Sequence, residues 1–334
     1  MATGWRWSGL ACVLLVLALW PMGRAWACGK DDPAAATSLG GRIAAIACRE
    51  NWLWYQPFIN TDGHLASMSA TEAEAGELAD GTTPAWKRVA EYWRGSGLMW
   101  QMSAFPGAGT CARAAGLAYP APDCRAFIID RPWSAAFTSF VLVRAGVPGF
   151  RPSPRHVDYV RDAYLAGAGS PYQLVDPDAS RPAIGDMLCY VRGSTPMGPA
   201  GLRAWLATNA DGSLPMHCEI VVGAGGGRLQ LVGGNVLQSV TQRLLPLNRD
   251  GRLWGLPRGA PFCSPANEAG CSFNRQDWAA LLKLDPSLRA APPPRMPPAT
   301  PVEQGTPTRC CVQCVVGSGV PRCPVGATPP TDGG

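Results

Sequence analysis

The chain has 334 residues, 13 cysteines and a formal net charge of +5. Removing the predicted leader described below takes away Arg6 and Arg24 and lowers the charge to +3. The remaining positive charges are scattered along the chain, and so small and dispersed a charge argues against a nucleic-acid-binding protein.

Residues 1–27 have the pattern of a secretory signal peptide. A short positive start precedes an apolar run at residues 10–20 that is too short to span a bilayer, and Ala25 and Ala27 provide small residues at a cleavage site. Cleavage there makes Cys28 the first mature residue. A lipid-modified Cys28 is the alternative, and the bulky Trp26 beside the junction argues against it. No later stretch is apolar enough for a second span, so a periplasmic or secreted chain without a transmembrane segment is predicted.

Cysteine usage agrees with an oxidising compartment. Cys12 leaves with the leader, and the remaining cysteines are even in number. The candidate disulfide pairs are Cys111 with Cys124, Cys263 with Cys271, and Cys28 with Cys48, the first two of which bracket short loops. The tail cysteines Cys310, Cys311, Cys314 and Cys323 have a spacing that also suits structural zinc, but oxidised pairing fits an exported protein better, and no metal site is predicted.

Residues 28–98 are predicted to form a helical N-terminal extension. Ser38 is a suitable cap for a first helix, and Thr83-Pro84 is an N-cap and N1 pair for a helix that stops at Gly95. Residues 99–130 are predicted to be a loop region at the start of a domain covering 99–287. Residues 288–334 are rich in proline and are predicted to be a disordered tail.

The remainder of the 99–287 domain combines helices with antiparallel strands. One helix begins at Pro132-Trp133-Ser134 and ends at Gly146, and a second begins at Ser153-Pro154 with His156 in its first turn. Helices followed by strands predict an α+β domain. The predicted strands are residues 187–191, 216–222, 228–232 and 239–244, with 252–256 as a candidate closing strand.

The glycine-rich run GAGGG at residues 223–227 is predicted to be a hairpin turn. With the turn centred near Gly225, His217 faces Gly233 on the partner strand, and Asn235 shares the face of His217. The Asn235 side chain is then placed to hold the imidazole in one tautomer. Cys218 points to the opposite face, as a core thiol or as a disulfide partner of Cys189.

Ser134 has two interpretations. A serine before an apolar helical run is ordinarily an N-cap. The stretch PWSAAFTSFVLVRAG, however, resembles the PWCAAF-type helix of CHAP-like, papain-like cell-wall amidases and endopeptidases, with serine in place of the catalytic cysteine. The Gly185-Asp186 strand start, the histidine of MHCEIVV and the GGN of LVGGNV continue this resemblance. Together with RHVDYV, these motifs resemble more closely an uncharacterised bacterial domain-of-unknown-function family of the same superfamily.

The resemblance implies a papain-like core in which a nucleophile helix packs on an antiparallel sheet. It also implies a mechanism, with Ser134 as the nucleophile, His217 as the base and Asn235 as the orienting residue. Trp133, His156 and Asp186 are candidate substrate-binding residues. Each of three residues also has a purely structural interpretation. His217 is then a strand histidine without a catalytic role, Asn235 a residue at the edge of a turn, and His156 a structural histidine in the first turn of its helix.

Serine changes the chemistry of such a site. A thiol forms a thiolate beside a histidine, whereas a serine hydroxyl must pass its proton on in the transition state, and a neutral asparagine stabilises the resulting imidazolium poorly. The predicted function is therefore hydrolysis of amide bonds in peptidoglycan or a related envelope substrate, with no cofactor. The alternatives are an inactive binding domain on the same scaffold and a disulfide-rich envelope structural protein. A zinc deaminase is disfavoured, since HCE at residues 217–219 lies on a predicted strand rather than at a helix start.

Overall fold

The structure is a computed structural model, and it describes residues 1, 28, 36–117, 121–166, 170–193, 195–256, 258–259, 263–292, 313–314 and 321–322. The predicted signal peptide beyond residue 1 and most of the predicted disordered tail lie outside the described residues. Within the tail, two short strands, Gln313–Cys314 and Pro321–Arg322, pair antiparallel.

The helices of the described chain occur mainly in its first two thirds. They are α1 (Leu39–Leu53), α2 (Ala85–Gly95), α3 (Ala108–Ala112), α4 (Pro122–Asp130), α5 (Ser134–Ala145), α6 (His156–Leu165) and α7 (Gly198–Thr208). The predicted cap of α1 is confirmed, because the Ser38 hydroxyl accepts from the Gly41 N–H at 3.0 Å. The predicted end of α5 is also confirmed, since Gly146 caps that helix in the left-handed region, at φ 72°.

Two predicted helix starts are shifted, and one predicted loop contains helices. Pro84 rather than Thr83 is the N-cap of α2, and the Thr83 hydroxyl instead donates to Asp80 Oδ2 at 2.6 Å. Helix α6 begins at His156, and the Ser153 hydroxyl before it donates to Asp158 Oδ2 at 2.5 Å. The predicted loop at 99–130 contains α3 and α4, and Pro122 takes a first-turn position of α4 that suits proline.

The other strands of the described chain form one mixed sheet. They are β1 (Phe58–Ile59), β2 (Leu65–Ala66), β3 (Tyr172–Val175), β4 (Met187–Val191), β5 (Met216–Gly225), β6 (Arg228–Val236), β7 (Ser239–Pro246) and β8 (Asp277–Leu284). Their order is β2-β1-β7-β6-β5-β4-β8-β3, and every pair is antiparallel except β1 with β7. The predicted α+β class with a largely antiparallel sheet is therefore confirmed.

The predicted strands β4 to β7 are confirmed, with β5, β6 and β7 longer than expected. The predicted closing strand at 252–256 is wrong, because this segment makes one isolated bridge, Leu253 to Leu247. The strand that pairs with β4 on this side is β8, which was not predicted from the sequence. Six successive residues of β8 are buried, so it lacks the apolar–polar alternation that marks a half-exposed strand.

The sheet separates two apolar clusters. The larger cluster holds buried side chains of the helices, among them Ile43, Trp86, Phe127, Phe140, Val160 and Leu202. The smaller cluster lies on the opposite parity of the strands and includes Leu188, Tyr190, Val221 and Trp278. Helices α1 and α2, predicted as an extension, thus contribute to the same core as α5.

A buried carboxylate joins α1 to α2. Glu50 is 3 % exposed and accepts from Arg88 Nε at 2.8 Å and from the Tyr92 hydroxyl at 2.8 Å. Tyr92 in turn accepts from the Trp54 indole N–H at 2.9 Å. Each polar group of this network has a partner, as burial requires.

All four candidate disulfides are present. Cys28 pairs with Cys48, and Cys111 with Cys124; Cys189 pairs with Cys218, and Cys263 with Cys271. Such a set of disulfides is typical of proteins that fold in an oxidising compartment. Among the described residues no single helix is long and apolar enough to cross a membrane, whereas α4 and α5, bent by 97°, meet that criterion only as a pair.

The disulfides differ in the loop that they close, which gives a stability prediction. Replacing Cys189 and Cys218, 29 residues apart and fully buried, by alanine should lower the free energy of unfolding by about 3–4 kcal/mol. The same change at Cys263 and Cys271, only 8 residues apart, should cost about 2–3 kcal/mol. Urea unfolding of both double variants measures the difference, and a larger loss at Cys263 and Cys271 would contradict the loop-length argument.

Candidate functional site

Ser134 is the first residue of α5, and Trp133 before it is the N-cap residue. The Ser134 hydroxyl lies 2.9 Å from His156 Nε2, and the serine is 6 % exposed. The interpretation of Ser134 as a simple N-cap is therefore wrong. A serine hydroxyl paired with an imidazole nitrogen at the start of a helix is the arrangement from which nucleophilic catalysis begins.

The start of α5 also provides hydrogen-bond donors. The first backbone bond within this turn runs from Phe137 N–H to Trp133 C=O, at 2.9 Å. The N–H groups that precede Phe137 have no acceptor within the helix. Such first-turn donors favour negative charge, including that of an oxyanion.

His156, predicted as a substrate contact or a structural residue, is the partner of Ser134. It opens α6 and is 4 % exposed, and its Nδ1 has no hydrogen-bond partner among the described residues. Burial, and secondarily the charge of Arg192, lower the pKa of His156 from 6.5 to about 3. The ring is accordingly neutral at physiological pH.

His217, the predicted base, is fully buried on β5 and is not the hydrogen-bond partner of Ser134. Its Nδ1 lies 3.1 Å from Arg192 Nη2, and because a guanidinium only donates, Nδ1 must be the acceptor. Burial, and after it the electrostatic coupling to His156 and the charges of Arg192 and Arg243, lowers the pKa of His217 well below its usual value. The neutral ring therefore carries its proton on Nε2. The ring centroid lies 5.1 Å from that of His156.

Beneath His217 lies a buried ion pair. Glu219 accepts from Arg243 Nε at 3.0 and 2.9 Å and from Arg243 Nη2 at 2.9 Å. Both side chains are at most 2 % exposed. His217 Nε2 lies 3.6 Å from Glu219 Oε1, beyond hydrogen-bond distance but close enough for attraction between the N–H and the carboxylate.

Asn235, the predicted orienting residue, has other partners. Its side-chain amide satisfies its neighbours when the nitrogen faces Glu72 Oε2 at 3.1 Å and the oxygen faces the Trp133 backbone N–H at 3.2 Å. The reason is local: Asn235 has φ 55°, and the β6–β7 register shifts between Gly233 and Val236. The alternation of side chains that placed Asn235 on the face of His217 fails at this point.

Glu72 is a further buried group beside the helix start. It is 6 % exposed and accepts from the Trp133 indole N–H at 2.7 Å. Burial raises the pKa of Glu72 to about 7, although the indole hydrogen bond opposes that shift. The sequence gives no indication of this residue, because it lies in a loop without regular periodicity.

Two glycines of the GGN motif allow close packing. A Cβ on Gly233 would lie 2.8 Å from Glu219 Cγ and 3.0 Å from His217 Nε2. A Cβ on Gly234 would lie 2.4 Å from Phe137 of α5. The predicted register of the hairpin is wrong by two residues, because a turn centred on Gly225 would pair Ile220 with Gln230, whereas Ile220 pairs with Val232. Gly233 nevertheless lies close to the His217 ring.

The other two candidate substrate-binding residues are buried in the structure. Trp133 is fully buried, and its ring stacks with those of Trp54 and Tyr92 at centroid distances of 5.8 and 5.5 Å. Asp186 is 1 % exposed, accepts from the Ala183 N–H at 2.7 Å and the Leu284 N–H at 2.9 Å, and pairs with Lys283. In this structure the Trp133 ring packs against Trp54 and Tyr92 at the start of α5. Asp186, which directly precedes β4, binds Leu284 and Lys283 of β8.

Arg192 and Arg243, which also lie at this site, were not predicted from the sequence. The buried position of Arg243 could have been predicted from the sequence. Arg243 lies two residues before the buried Leu245 on β7, so the two share a face of the sheet. Glu219 and Val221 share a face of β5 in the same way. Opposite charges at inward positions of strands in one sheet predict a buried pair.

The sequence matches a bacterial family. Residues 80–284, more than half of the chain, match the family described as "Uncharacterized protein conserved in bacteria (DUF2272)". The chain belongs to this family. The resemblance to an uncharacterised bacterial family is thereby confirmed, and the DUF2272 match reaches upstream past the helix WKRVAEYWR. No curated protein and no solved structure matches the chain with significant similarity.

The buried ion pair gives a second stability prediction. Glu219→Gln should lower the free energy of unfolding by about 3–5 kcal/mol, because it leaves the Arg243 charge buried without its counter-ion. The control is Asp178→Asn, which breaks the exposed pair with Arg258 and should cost less than about 1 kcal/mol. Equal losses in urea unfolding would show that Glu219 does not neutralise Arg243.

The low pKa of His156 predicts a pH dependence. Between pH 6.5 and about 3 the unfolded chain binds a proton at this residue and the folded chain does not, so His156 destabilises the fold as pH falls. The stability of His156→Gln should decline less steeply than that of the wild type, by up to about 1.4 kcal/mol per pH unit. Replacing the exposed His64 by Gln is the control. Parallel pH profiles for the wild type and His156→Gln would contradict this expectation.

Proposed function

We propose that the protein is an exported amide hydrolase acting on peptidoglycan peptide or a related envelope substrate, built on a papain-like, CHAP-type scaffold. The observation that carries this proposal is the 2.9 Å contact between Ser134 Oγ and His156 Nε2 at the N-terminus of α5. The four disulfides support export, and the helix–sheet arrangement around Ser134 supports the scaffold.

The proposed reaction uses His156 in place of the predicted base His217. Ser134 Oγ attacks the carbonyl carbon while its proton passes to His156 Nε2, and first-turn N–H groups of α5 stabilise the oxyanion. The C–N bond then breaks, the leaving amine takes the proton from His156, and water hydrolyses the acyl-enzyme by the same route. A base whose pKa is about 3 accepts a proton reluctantly, so turnover should be slow.

His217 has a positioning role in this proposal. Its ring packs against that of His156 and is itself held by Arg192 on one side and faces Glu219 on the other. The Glu219 carboxylate is the nearest negative charge to the two rings that the contacts identify. Because Arg243 neutralises much of this negative charge, Glu219 offers only weak stabilisation to a positive charge on the histidine pair, and Asn235 is engaged with Glu72 and Trp133.

A second candidate is a binding domain without turnover. It is favoured by the burial of Ser134 and both histidines together with the low basicity of His156. In this alternative the serine is a stable replacement for a catalytic thiol, and the scaffold holds a cell-wall peptide without cleaving it.

Covalent labelling distinguishes these candidates. A fluorophosphonate probe reacts with activated serines, so the oxidised wild-type protein should gain one adduct on the peptide that contains Ser134. Ser134→Ala should abolish labelling, and His156→Gln should slow it at least about tenfold, because the base is lost. The matched control is Ser139→Ala, which removes a buried serine of the same helix that bonds to Tyr159. Labelling that survives in Ser134→Ala would contradict the assignment of the nucleophile.

Product analysis then tests the substrate. Mass spectrometry of purified peptidoglycan incubated with the wild type should detect released peptide fragments that are absent with Ser134→Ala. Release by Ser134→Cys alone would support the binding-domain alternative on a competent scaffold. No release by wild type, Ser134→Ala or Ser134→Cys would exclude peptidoglycan as the substrate.

A further inference from the structure

A cavity of about 280 Å³ lies at the end of β4, beside the buried histidines. It is lined by Tyr190, Val191, Arg192, Gly193, Pro196, Gly259, Gln276 and Asp277. Its volume is just below the range of roughly 300–1,000 Å³ that is typical of small-molecule sites, so it suits a small ligand. Tyr190, which forms one wall, packs against the His217 ring at a centroid distance of 5.2 Å.

Arg192 brings to this cavity a positive charge without a contacting counter-ion among the described residues. None of the ion pairs found in the described part of the chain includes Arg192. Among the described lining residues the acidic side chain is Asp277, which is 7 % exposed, and its oxygens accept from the Met197 and Gly198 N–H groups at 2.7 and 3.0 Å. Both Asp277 oxygens are thus bonded to the start of α7.

The position of Arg192 is fixed from two sides. Its backbone N–H donates to the Pro215 carbonyl at 2.8 Å, which anchors it where β4 meets β5. Its guanidinium reaches inward to His217 Nδ1 at 3.1 Å, although the residue as a whole is exposed. A guanidinium carries five N–H donors, so one bond to an imidazole leaves others available to a ligand.

We propose that this cavity binds a carboxylate on Arg192, and that its ligand is a small acylated amino acid or a short peptide C-terminus. A planar guanidinium recognises a carboxylate through two parallel hydrogen bonds, and Gln276 and the Tyr190 ring provide polar and apolar walls around it. The proposal that the cavity binds an anion depends only on the cavity and on Arg192. The choice of an amino-acid carboxylate rests on the proposed function.

The site is coupled to the histidines through the same guanidinium. A carboxylate bound to the free donors of Arg192 offsets the positive charge of the guanidinium. That charge contributes, after burial, to the low pKa of both His156 and His217. Ligand binding should therefore make the pair of rings easier to protonate.

Calorimetric titration of the oxidised protein with N-acetyl-D-alanine tests the proposal. We expect a Kd of about 1 mM or lower, and at least about tenfold weaker binding of the uncharged N-acetyl-D-alanine methylamide. Arg192→Gln should lose about tenfold or more in affinity, and Arg192→Lys should lose less, because it keeps the charge without the paired donors. Arg228→Gln removes an exposed arginine elsewhere in the sheet and should bind as the wild type does.

Three results would overturn the proposal: equal binding of the acid and its methylamide, unchanged affinity in Arg192→Gln, or no saturable binding of the acid by wild type. The titration does not require turnover. Binding to a protein that fluorophosphonate does not label would uphold the carboxylate site and reject the hydrolase.

Discussion

The close approach of α5 to the end of β6 is the constraint on which the site depends. Gly234 lets the backbone of β6 lie against Phe137, where any side chain would overlap the ring. Just beyond it, Asn235 turns into the left-handed region and bonds to the backbone N–H of Trp133, the N-cap residue of α5. The helix start is thus fixed to the sheet by backbone contact, and Ser134 is the next residue.

Around that helix start the structure arranges charge in a definite order. Ser134 contacts a neutral histidine, a second neutral histidine packs behind it, and a buried glutamate–arginine pair lies beyond. Arginine is present on both sides of His217, since Arg192 binds its Nδ1 and Arg243 neutralises the carboxylate below it. This environment disfavours protonation of the imidazoles to the cationic form. Each neutral ring therefore keeps one nitrogen that can accept a proton, but only weakly. The low basicity of both rings follows from burial first, and the charge of Arg192 contributes to it in each.

Local patterns in the sequence predicted the parts of the fold that depend on local interactions. The Gly146 cap, the strand at residues 187–191 and the GAGGG hairpin all follow from neighbouring residues. The loops that they bracket indicated the Cys111–Cys124 and Cys263–Cys271 disulfides, and the strand face of Cys218 left Cys189 as a candidate partner. The pairing of Ser134 with His156 could not be predicted in this way, because it depends on how α6 packs against α5. Asn235 was assigned to His217 by strict alternation, which its positive φ breaks. Strand β8 was not predicted, because it is buried on both faces and therefore lacks the alternation of apolar and polar residues that marks a half-exposed strand.

The contacts of Glu50 show that the folding unit begins further upstream than the family match. Sequence similarity begins at residue 80, but Arg88 and Tyr92 bond to a carboxylate at position 50, on a helix that lies wholly upstream. Glu72, which bonds to Trp133 beside Ser134, is upstream as well. A recombinant fragment cut at residue 80 would retain buried donors while losing their acceptors, and it would strip α1 from the core. Expression of this protein should therefore begin ahead of α1 rather than where the similarity starts.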